Sequence, residues 1–330
     1  MIQSRSPVRA KRLAISLAAA LCAIAAPAAA QDCPATTPAA VEAIARAYFD
    51  AFNKGDRAAL DGLLAADYRH AGAIVASQDR ALHLDRADAV RAGFPDGVYT
   101  IDWLVVDGDK VAVRNTFRGT HEGPFAGVAP TGKPVAVGAF HVHRIACGKI
   151  AETWNAGDGV GLLRQLGAIA GPATTPANEE AKPTAAAPAS CPTTTPAENA
   201  AAARRWYDEV LNQGRFEVLD EILTADVVHH AGLMVDKVGR EETGGSLKEI
   251  RAGFPDIRFT VDGVVAAGDK VLILWTGKGT HTGRFVGLEA SGKPVDWSGM
   301  NAFRFQCGKI VEGWSEANGL AMLRQIGALK

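Results

Sequence analysis

The first half of the chain opens with apolar residues at helical spacing. Val41, Ile44 and Tyr48 fall on one face of residues 37–54, which predicts an amphipathic helix. Further along, the period of the apolar positions changes to two, which predicts β-strands. The first predicted elements are a helix over 37–54, a short helix around 60–64, a short strand at 68–70 and a helix over 81–93. Four strands follow, over 99–106, 110–118, 133–145 and 149–154, and a last helix covers 160–166.

The second half of the chain repeats the first. Three identical segments recur at one spacing of 160 residues. A period this long indicates a duplicated domain, because solenoid repeats run about 20–50 residues. In each copy helices precede a run of strands, which predicts an α+β fold with an antiparallel sheet and helices on one face. The recurring segments are Arg-Ala-Gly-Phe-Pro-Asp at 91–96 and 251–256, Gly-Thr-His at 119–121 and 279–281, and Cys-Gly-Lys-Ile at 147–150 and 307–310.

Residues 1–30 have the features of a secretory signal peptide. Four basic residues precede an apolar run, and three consecutive alanines end at Ala30. This arrangement predicts cleavage after Ala30. No later segment reaches the ~20 apolar residues that a membrane helix needs. We therefore expect a secreted or periplasmic protein that has no membrane partner after signal cleavage.

The charge balance argues against one class of partner. The chain has 35 Lys and Arg against 36 Asp and Glu, a net charge of -1. The charged residues of the predicted signal peptide are all basic, so its removal makes the charge more negative. Nucleic-acid-binding domains show a basic excess instead. We expect no nucleic-acid partner.

Four cysteines follow the predicted cleavage site, one pair in each copy. Their separations are nearly equal, which favours Cys33–Cys147 and Cys191–Cys307 among the three connectivities that four cysteines allow. An even count in an exported chain indicates disulfides, and four free thiols are the alternative. We expect no metal site, because neither Cys-x-x-Cys nor His-x3-5-His spacing occurs.

Composition places a linker between the two copies. Residues 170–190 are rich in Pro, Ala and Thr, a composition that cannot bury a core. The predicted organisation is a signal peptide at 1–30, a first domain at 31–169, the linker at 170–190 and a second domain at 191–330.

Further short motifs occur along both copies. In the first copy they are Ala92-Gly93-Phe94-Pro95-Asp96, Gly108-Asp109-Lys110-Val111, Gly119-Thr120-His121-Glu122-Gly123, Pro130-Thr131-Gly132, Gly148-Lys149-Ile150, Trp154 and Leu163-Arg164-Gln165-Leu166-Gly167. The second copy matches nearly as well, with Ala290-Ser291-Gly292 as its main departure. With these motifs, each copy resembles the SnoaL-like polyketide cyclase (ester cyclase) family of the NTF2-like superfamily along most of its length.

The resemblance implies a cone, in which a curved sheet wraps around a long helix and leaves a pocket at the wide end. It implies a small apolar ligand in that pocket. It also implies that cones pair through their sheets, here as domain 1 with domain 2 or as a homodimer. Cyclases of this family need no cofactor and close a ring by intramolecular aldol addition, with an Asp as general acid/base and a nearby His.

Alignment on the family motifs places this catalytic pair at Asp158 and His141. The same positions of the second copy hold Asn318 and Asn301. An amide cannot exchange a proton near neutral pH, so the mechanism cannot operate in the second copy. The resemblance therefore implies chemistry in domain 1 only.

These residue types suit proton transfer beside a carbonyl. That step needs a base near the working pH, and a carboxylate in an apolar cone has a raised pKa. His141 and His143 share one face of a strand, so both imidazoles can donate to an enolate. The alternatives are that Asp158 caps the last helix and that both histidines are only hydrogen-bonded pocket residues.

Both pockets have further predicted binding residues. Aromatic residues replace smaller or polar ones in the second copy, which suits a flat ligand or simply fills the cone. The replacements are Trp275 for Asn115, Trp297 for Val137 and Phe303 for His143. The predicted substrate-binding residues are His70, His143, Asn115 and Trp154 in the first copy, and Trp275, Asn301 and Asn318 in the second.

The sequence leaves three function hypotheses. Domain 1 binds an apolar carbonyl compound and acts as a cofactor-free lyase, isomerase or cyclase. Alternatively, both cones are ligand pockets of a non-enzymatic carrier. The third hypothesis is a purely structural pseudo-dimer, because this fold supports many unrelated functions.

Overall fold

The computed structural model describes Cys33, residues 36–70 and 79–170, Cys191, residues 193–232, Met234 and residues 236–329. The predicted signal peptide and residues 171–190 of the predicted linker lie outside the described residues. Below, domain 1 denotes the elements up to helix α4, and domain 2 denotes those from helix α5 onward.

The elements of domain 1 follow the predicted order, with ends that differ by a few residues. None of the described helices of the chain is long and apolar enough to cross a membrane. The elements are α1 (Pro38–Lys54), α2 (Arg57–Leu63), β1 (Leu64–His70), α3 (Arg80–Gly93), β2 (Val98–Asp107), β3 (Lys110–Thr120), β4 (Pro134–Ala146), β5 (Lys149–Gly157) and α4 (Gly159–Leu166).

Domain 2 repeats this series with local changes. Its first helix, α5, passes into a π-helical turn, and a 3-10 turn at Phe216–Val218 precedes α6. The elements are α5 (Pro196–Arg205), the π-helical turn (Trp206–Leu211), α6 (Leu219–Ile222), β6 (Leu223–Ala231), β7 (Lys237–Val238), α7 (Arg240–Gly253), β8 (Arg258–Ala267), β9 (Lys270–Thr280), β10 (Pro294–Gln306), β11 (Lys309–Ala317) and α8 (Gly319–Ile326).

Each domain contains one sheet. The strand orders are β1-β5-β4-β3-β2 and β7-β6-β11-β10-β9-β8. The predicted α+β fold is therefore confirmed, with antiparallel pairing across the four long strands of each domain. In addition, β1 pairs parallel with β5 and β6 pairs parallel with β11. A helix and three strands separate β1 from β5, and a helix and four strands separate β6 from β11; such long connections permit parallel pairing.

Helix α1 lies against the inner face of the domain 1 sheet. Thr37 caps its N-terminus, and Gly55 ends it in the left-handed region at φ 66. The buried face of α1 includes Tyr48 and Phe49, which pack with Val111 and Val113 of β3 in one core. A sheet that covers one face of a helix in this way forms the cone.

The outer faces of the two sheets pack against each other within one compact unit. Because side chains alternate along a strand, Ala112 points away from α1 while Val111 and Val113 point toward it. This interdomain core is the intramolecular pairing of two cones. Its buried members are Ala112, Phe140, Val142, Ala156, Val265, Leu272, Leu274, Met300, Ala302 and Trp314.

A charged pair is buried in the same layer. Arg114 of β3 lies 5.4 Å from the ring centre of Trp314, and its Nη1 is 4.0 Å from Oε1 of Glu316. Its Nε is 3.7 Å from Oδ2 of Asp102. Only 3% of Arg114 and 6% of Glu316 are exposed, so both charges are removed from water at the domain interface.

Disulfides tie down the turn between the last two strands of each sheet. Cys191 is bonded to Cys307, as the matched spacing predicts. Cys33 and Cys147 are also disulfide-bonded. Each strand turn has two consecutive left-handed residues, such as Cys307 at φ 54 followed by a glycine, which is the backbone of a tight hairpin.

Candidate functional site

Domain 1 contains a cavity of about 460 Å³ between α1, α3 and the sheet. Its volume lies in the range typical of small-molecule sites. One part of its wall is aromatic or aliphatic and another part is polar. Arg86, which is exposed, is the charged side chain among the described lining residues. The lining residues are Tyr48, Phe52, His70, His83, Arg86, Ala87, Ala89, Val90, Tyr99, Pro124, Phe125, Ala126, His141 and Asn155.

His83 of α3 is the centre of a buried hydrogen-bond chain. Its Nε2 is 3.0 Å from the Tyr48 hydroxyl, and its Nδ1 is 3.1 Å from the Tyr68 hydroxyl and 3.3 Å from Nδ1 of His70. His70 continues the chain, with Nε2 2.7 Å from Oδ1 of Asn155. The chain thus joins α1, α3, β1 and β5 across one side of the cavity.

The orientation of the Asn155 amide sets the proton positions along this chain. Nε2–H of His70 donates to Asn155 Oδ1, which leaves Nδ1 of His70 as an acceptor. Nδ1–H of His83 then donates to both Nδ1 of His70 and the Tyr68 hydroxyl oxygen, and the Tyr48 hydroxyl donates to Nε2 of His83. Reversing the Asn155 amide would reverse every bond, so the chain has two matching proton arrangements.

The histidines of this region are neutral at pH 7. Burial, together with the neighbouring histidines, lowers the pKa of His83 and of His141 to about 3. Burial also lowers the pKa of His70 and His143. Burial raises the pKa of Tyr99 to about 12. These groups therefore offer neutral donors and acceptors rather than charges.

His141 of β4 lies on the opposite side of the cavity from α3. Its Nδ1 is 2.8 Å from Nδ2 of Asn115, and its ring packs edge-on against Phe49 and Tyr99 at 5.3 and 5.9 Å. Because the Asn115 amide donates to Nδ1, the ring hydrogen of neutral His141 is on Nε2. His141 thus presents an N–H group to the cavity that it lines.

His143 and Asn115, both predicted to bind substrate, lie behind the cavity wall. Both are completely buried. Nδ1 of His143 is 2.9 Å from Oγ1 of Thr153, and its ring packs 4.7 Å from Tyr48. These two residues therefore support Tyr48 and His141 rather than line the cavity.

Asp158 lies at the N-terminus of α4. Its Oδ1 accepts a hydrogen bond from the Gly161 N–H at 2.7 Å, and only 9% of the residue is exposed. Asn318 caps α8 in the same way, through the Ala321 N–H at 3.2 Å. Asp158 is not among the described residues that line the cavity with His141, and no carboxylate is among them.

Trp154 lies on the opposite side of the sheet from the cavity. It alternates with Thr153 and Asn155 along β5, so its ring packs against the interdomain core. The predicted contact between Trp154 and a ligand in the domain 1 cone is therefore not supported by its position. It lines a different cleft, between the two domains.

Both domains match one family model, described as SnoaL-like polyketide cyclase, over residues 42–166 and 201–326. The chain belongs to the SnoaL-like polyketide cyclase family. No curated protein shows significant similarity to the chain.

Several solved structures each match about two fifths of this chain. TsrD from Streptomyces laurentii is 33% identical, with a TM-score of 0.37, and the match covers 40% of this chain and 98% of TsrD. IdmH from Streptomyces antibioticus is 30% identical, with a TM-score of 0.35, covering 39% of this chain and 98% of IdmH. A Jannaschia sp. CCS1 protein described as a SnoaL-like polyketide cyclase is 23% identical, with a TM-score of 0.40, covering 43% and 99%.

The second SnoaL-like domain has a much smaller cavity, of about 100 Å³. Trp275 and Trp297 line it, and Phe303 packs against Trp206 in the core beside it. The large side chains therefore fill most of this cone, which favours the filling alternative over a second ligand pocket of equal size. Asn301 lines what remains, whereas Asn318 caps α8.

The sequence reasoning missed His83, Tyr48 and Asn155 as cavity residues. For His83 and Asn155, the difference between the two SnoaL-like copies was the signal that could have identified them. At the 160-residue spacing, Thr243 stands for His83 and Ser315 for Asn155. His83 lies in the helix predicted over 81–93, and helical periodicity does not show which polar side chain of that helix points inward.

Proposed function

We propose that the protein binds an apolar small molecule with a carbonyl group, in the cavity of domain 1. The observation that carries this proposal is a cavity of about 460 Å³ in which apolar walls face a neutral, oriented imidazole, His141. Membership of a family described as polyketide cyclases supports a small-molecule ligand.

In this proposal His141 recognises the carbonyl. Its Nε2–H donates to the carbonyl oxygen, and the Asn115 amide holds the ring in the required tautomer. A neutral imidazole is suited to this role, since it donates without placing a charge in an apolar cavity. Phe52, Val90 and Phe125 cover the apolar part of the ligand.

Acid/base turnover in domain 1 is a second candidate function. A hydrogen bond from His141 would stabilise an enolate formed from the bound carbonyl compound. The Tyr48–His83–His70 chain favours this candidate, because His83 and His70 each donate and accept a hydrogen bond and so can pass a proton along the cavity wall. Asp158 remains the proposed general acid/base of a cofactor-free lyase, isomerase or cyclase.

We also infer that the protein is exported. The Cys191–Cys307 bridge supports this, since structural disulfides persist in oxidising compartments. The expected mature protein begins at Gln31. Amino-terminal sequencing of the periplasmic or secreted protein tests the cleavage site, and an N-terminus at Met1 would contradict it.

Isothermal titration with a matched pair of probes tests carbonyl recognition. The probes are 2-acetonaphthone and 2-isopropylnaphthalene, in which a CH(CH3) group replaces the carbonyl group. Wild type should bind the ketone about tenfold more tightly, and His141→Leu should abolish this preference. Asn301→Leu is the matched control in domain 2 and should leave it unchanged. Equal affinity of wild type for both probes would contradict the proposal.

A further inference from the structure

The two domains contact each other at two places that the duplication makes equivalent. At one of them a cation is enclosed by aromatic and acidic side chains. Arg114 lies 5.4 Å from the Trp314 ring centre and 3.7 Å from Asp102, and its Nη1 is 4.0 Å from Glu316. The Trp103 ring packs 5.9 Å from Trp314 and closes this place.

The equivalent place on the other side lacks the cation and the closing ring. Trp154 and Asp262 are retained there, at the positions of Trp314 and Asp102. The side chains that would fill the space are smaller or uncharged, and a cleft of about 400 Å³ remains. The replacements are Gly263 for Trp103, Leu274 for Arg114 and Ala156 for Glu316.

The filled side shows which chemistry suits the open one. On the filled side, an indole and a guanidinium pack against Trp314 and Asp102. The equivalent tryptophan and aspartate, Trp154 and Asp262, line the open cleft. Asp262 is exposed and accepts a hydrogen bond from the Thr276 hydroxyl, so its carboxylate is held at the cleft and reaches solvent. A cation over the Trp154 face, beside this carboxylate, would restore the arrangement seen around Trp314.

Lys110 also lines the cleft, and its charge has to be considered. Its ammonium is 3.7 Å from Asp109. The filled side has a lysine at the same position, Lys270, paired with Asp269 at 2.8 Å. Each lysine therefore has a neighbouring carboxylate, which offsets its positive charge at the cleft.

We propose that this interdomain cleft binds a small aromatic cation, in which an amidinium, guanidinium or ammonium group is joined to an aromatic ring. The ring packs on Trp154 in the space that Gly263 leaves open, and the cation pairs with Asp262. This site is separate from the domain 1 cavity and does not depend on the function proposed for that cavity.

Titration with benzamidine, and with benzamide as its neutral counterpart, tests the site in the full exported chain. Wild type should bind one benzamidine saturably and benzamide about tenfold more weakly. Asp262→Asn should weaken benzamidine about five- to tenfold and leave benzamide unchanged. Gly263→Trp, which supplies the ring present on the filled side, should block both probes. A Cβ at this position meets only the Leu274 side chain, at 3.3 Å.

His141→Leu serves as the control for binding in the domain 1 cavity and should leave benzamidine affinity unchanged. Equal affinity for the two probes in wild type would overturn the proposal, as would unaltered benzamidine binding in Asp262→Asn. If Gly263→Trp does not fold, the Asp262→Asn result decides alone.

Discussion

Nδ2 of Asn115 lies 2.8 Å from Nδ1 of His141, on the inner face of the domain 1 sheet. At the same positions of domain 2, Nε1 of Trp275 donates to Oδ1 of Asn301 at 2.7 Å. The duplication therefore retained a hydrogen bond between β3 and β4 while both chemical groups changed. In domain 1 this bond orients an imidazole toward a cavity, whereas in domain 2 it joins two side chains that help to fill the cone.

Replacing Asn115 by leucine should release the His141 ring. Nδ1 of His141 would then face an apolar side chain, and losing the partner of a buried polar group costs about 1–3 kcal/mol of unfolding free energy. The ketone preference of the cavity should fall with it. Urea unfolding and titration with 2-acetonaphthone measure the two effects, and a variant with unchanged ketone preference would show that Asn115 does not orient the ring.

Stability should decrease as the pH falls below about 6.5, because the pKa values of His83 and His141 are lowered to about 3 by burial. Between these values the unfolded chain binds more protons than the folded one, so each histidine costs about 1.4 kcal/mol per pH unit. His83→Thr, which introduces the domain 2 residue, should reduce this slope by about 1.4 kcal/mol per pH unit, the contribution of one histidine. Urea unfolding at about pH 7 and about pH 5 measures it, and an identical slope in both proteins would contradict the burial of a neutral His83.

Asp158→Asn should preserve the fold, because Asn318 already caps α8 with an amide oxygen. Its unfolding free energy should stay within about 0.5 kcal/mol of wild type, whereas Asp158→Ala should lose about 1 kcal/mol with the cap. The comparison of these two variants separates the capping role of Asp158 from a catalytic role. Once a substrate that wild type turns over is known, unchanged turnover by Asp158→Asn would remove Asp158 as general acid/base and leave only its capping role.

The buried charges of Arg114 and Glu316 should be strongly coupled. Arg114→Leu introduces the domain 2 residue and leaves the Glu316 carboxylate in the interface without this partner, which should cost about 3 kcal/mol. Glu316→Ala, which introduces the domain 1 residue, should cost a similar amount, and the double variant should recover most of the loss. A double-mutant cycle in urea measures the coupling. Additive losses would show that the two charges do not interact.

The sequence was sufficient to predict the fold, because each copy combines one strongly amphipathic helix with strands of period two. The parallel pairing of β1 with β5 was not predicted, since a short strand such as Leu64–His70 carries no information about its neighbour. Trp154 was assigned to the cone from its motif, although its alternation with Thr153 and Asn155 places it on the outer face.

The candidate site was predicted only in part. His141 and His70 were found through the family resemblance, and both line the cavity. His83 reaches it from α3, a helix whose packing against β1 cannot be deduced from local sequence. The family alignment pairs Asp158 with His141. In the structure, however, the Asp158 side chain caps the N-terminus of α4 by accepting a hydrogen bond from the Gly161 N–H.

The central claim is that His141 donates a hydrogen bond to a carbonyl group in the domain 1 cavity. Isotope-edited infrared spectroscopy of carbonyl-labelled 2-acetonaphthone measures this bond directly. Bound to wild type, the carbonyl stretch should lie below its frequency in an apolar solvent, and His141→Leu should return it toward that frequency. The same bound frequency in wild type and His141→Leu would contradict the account.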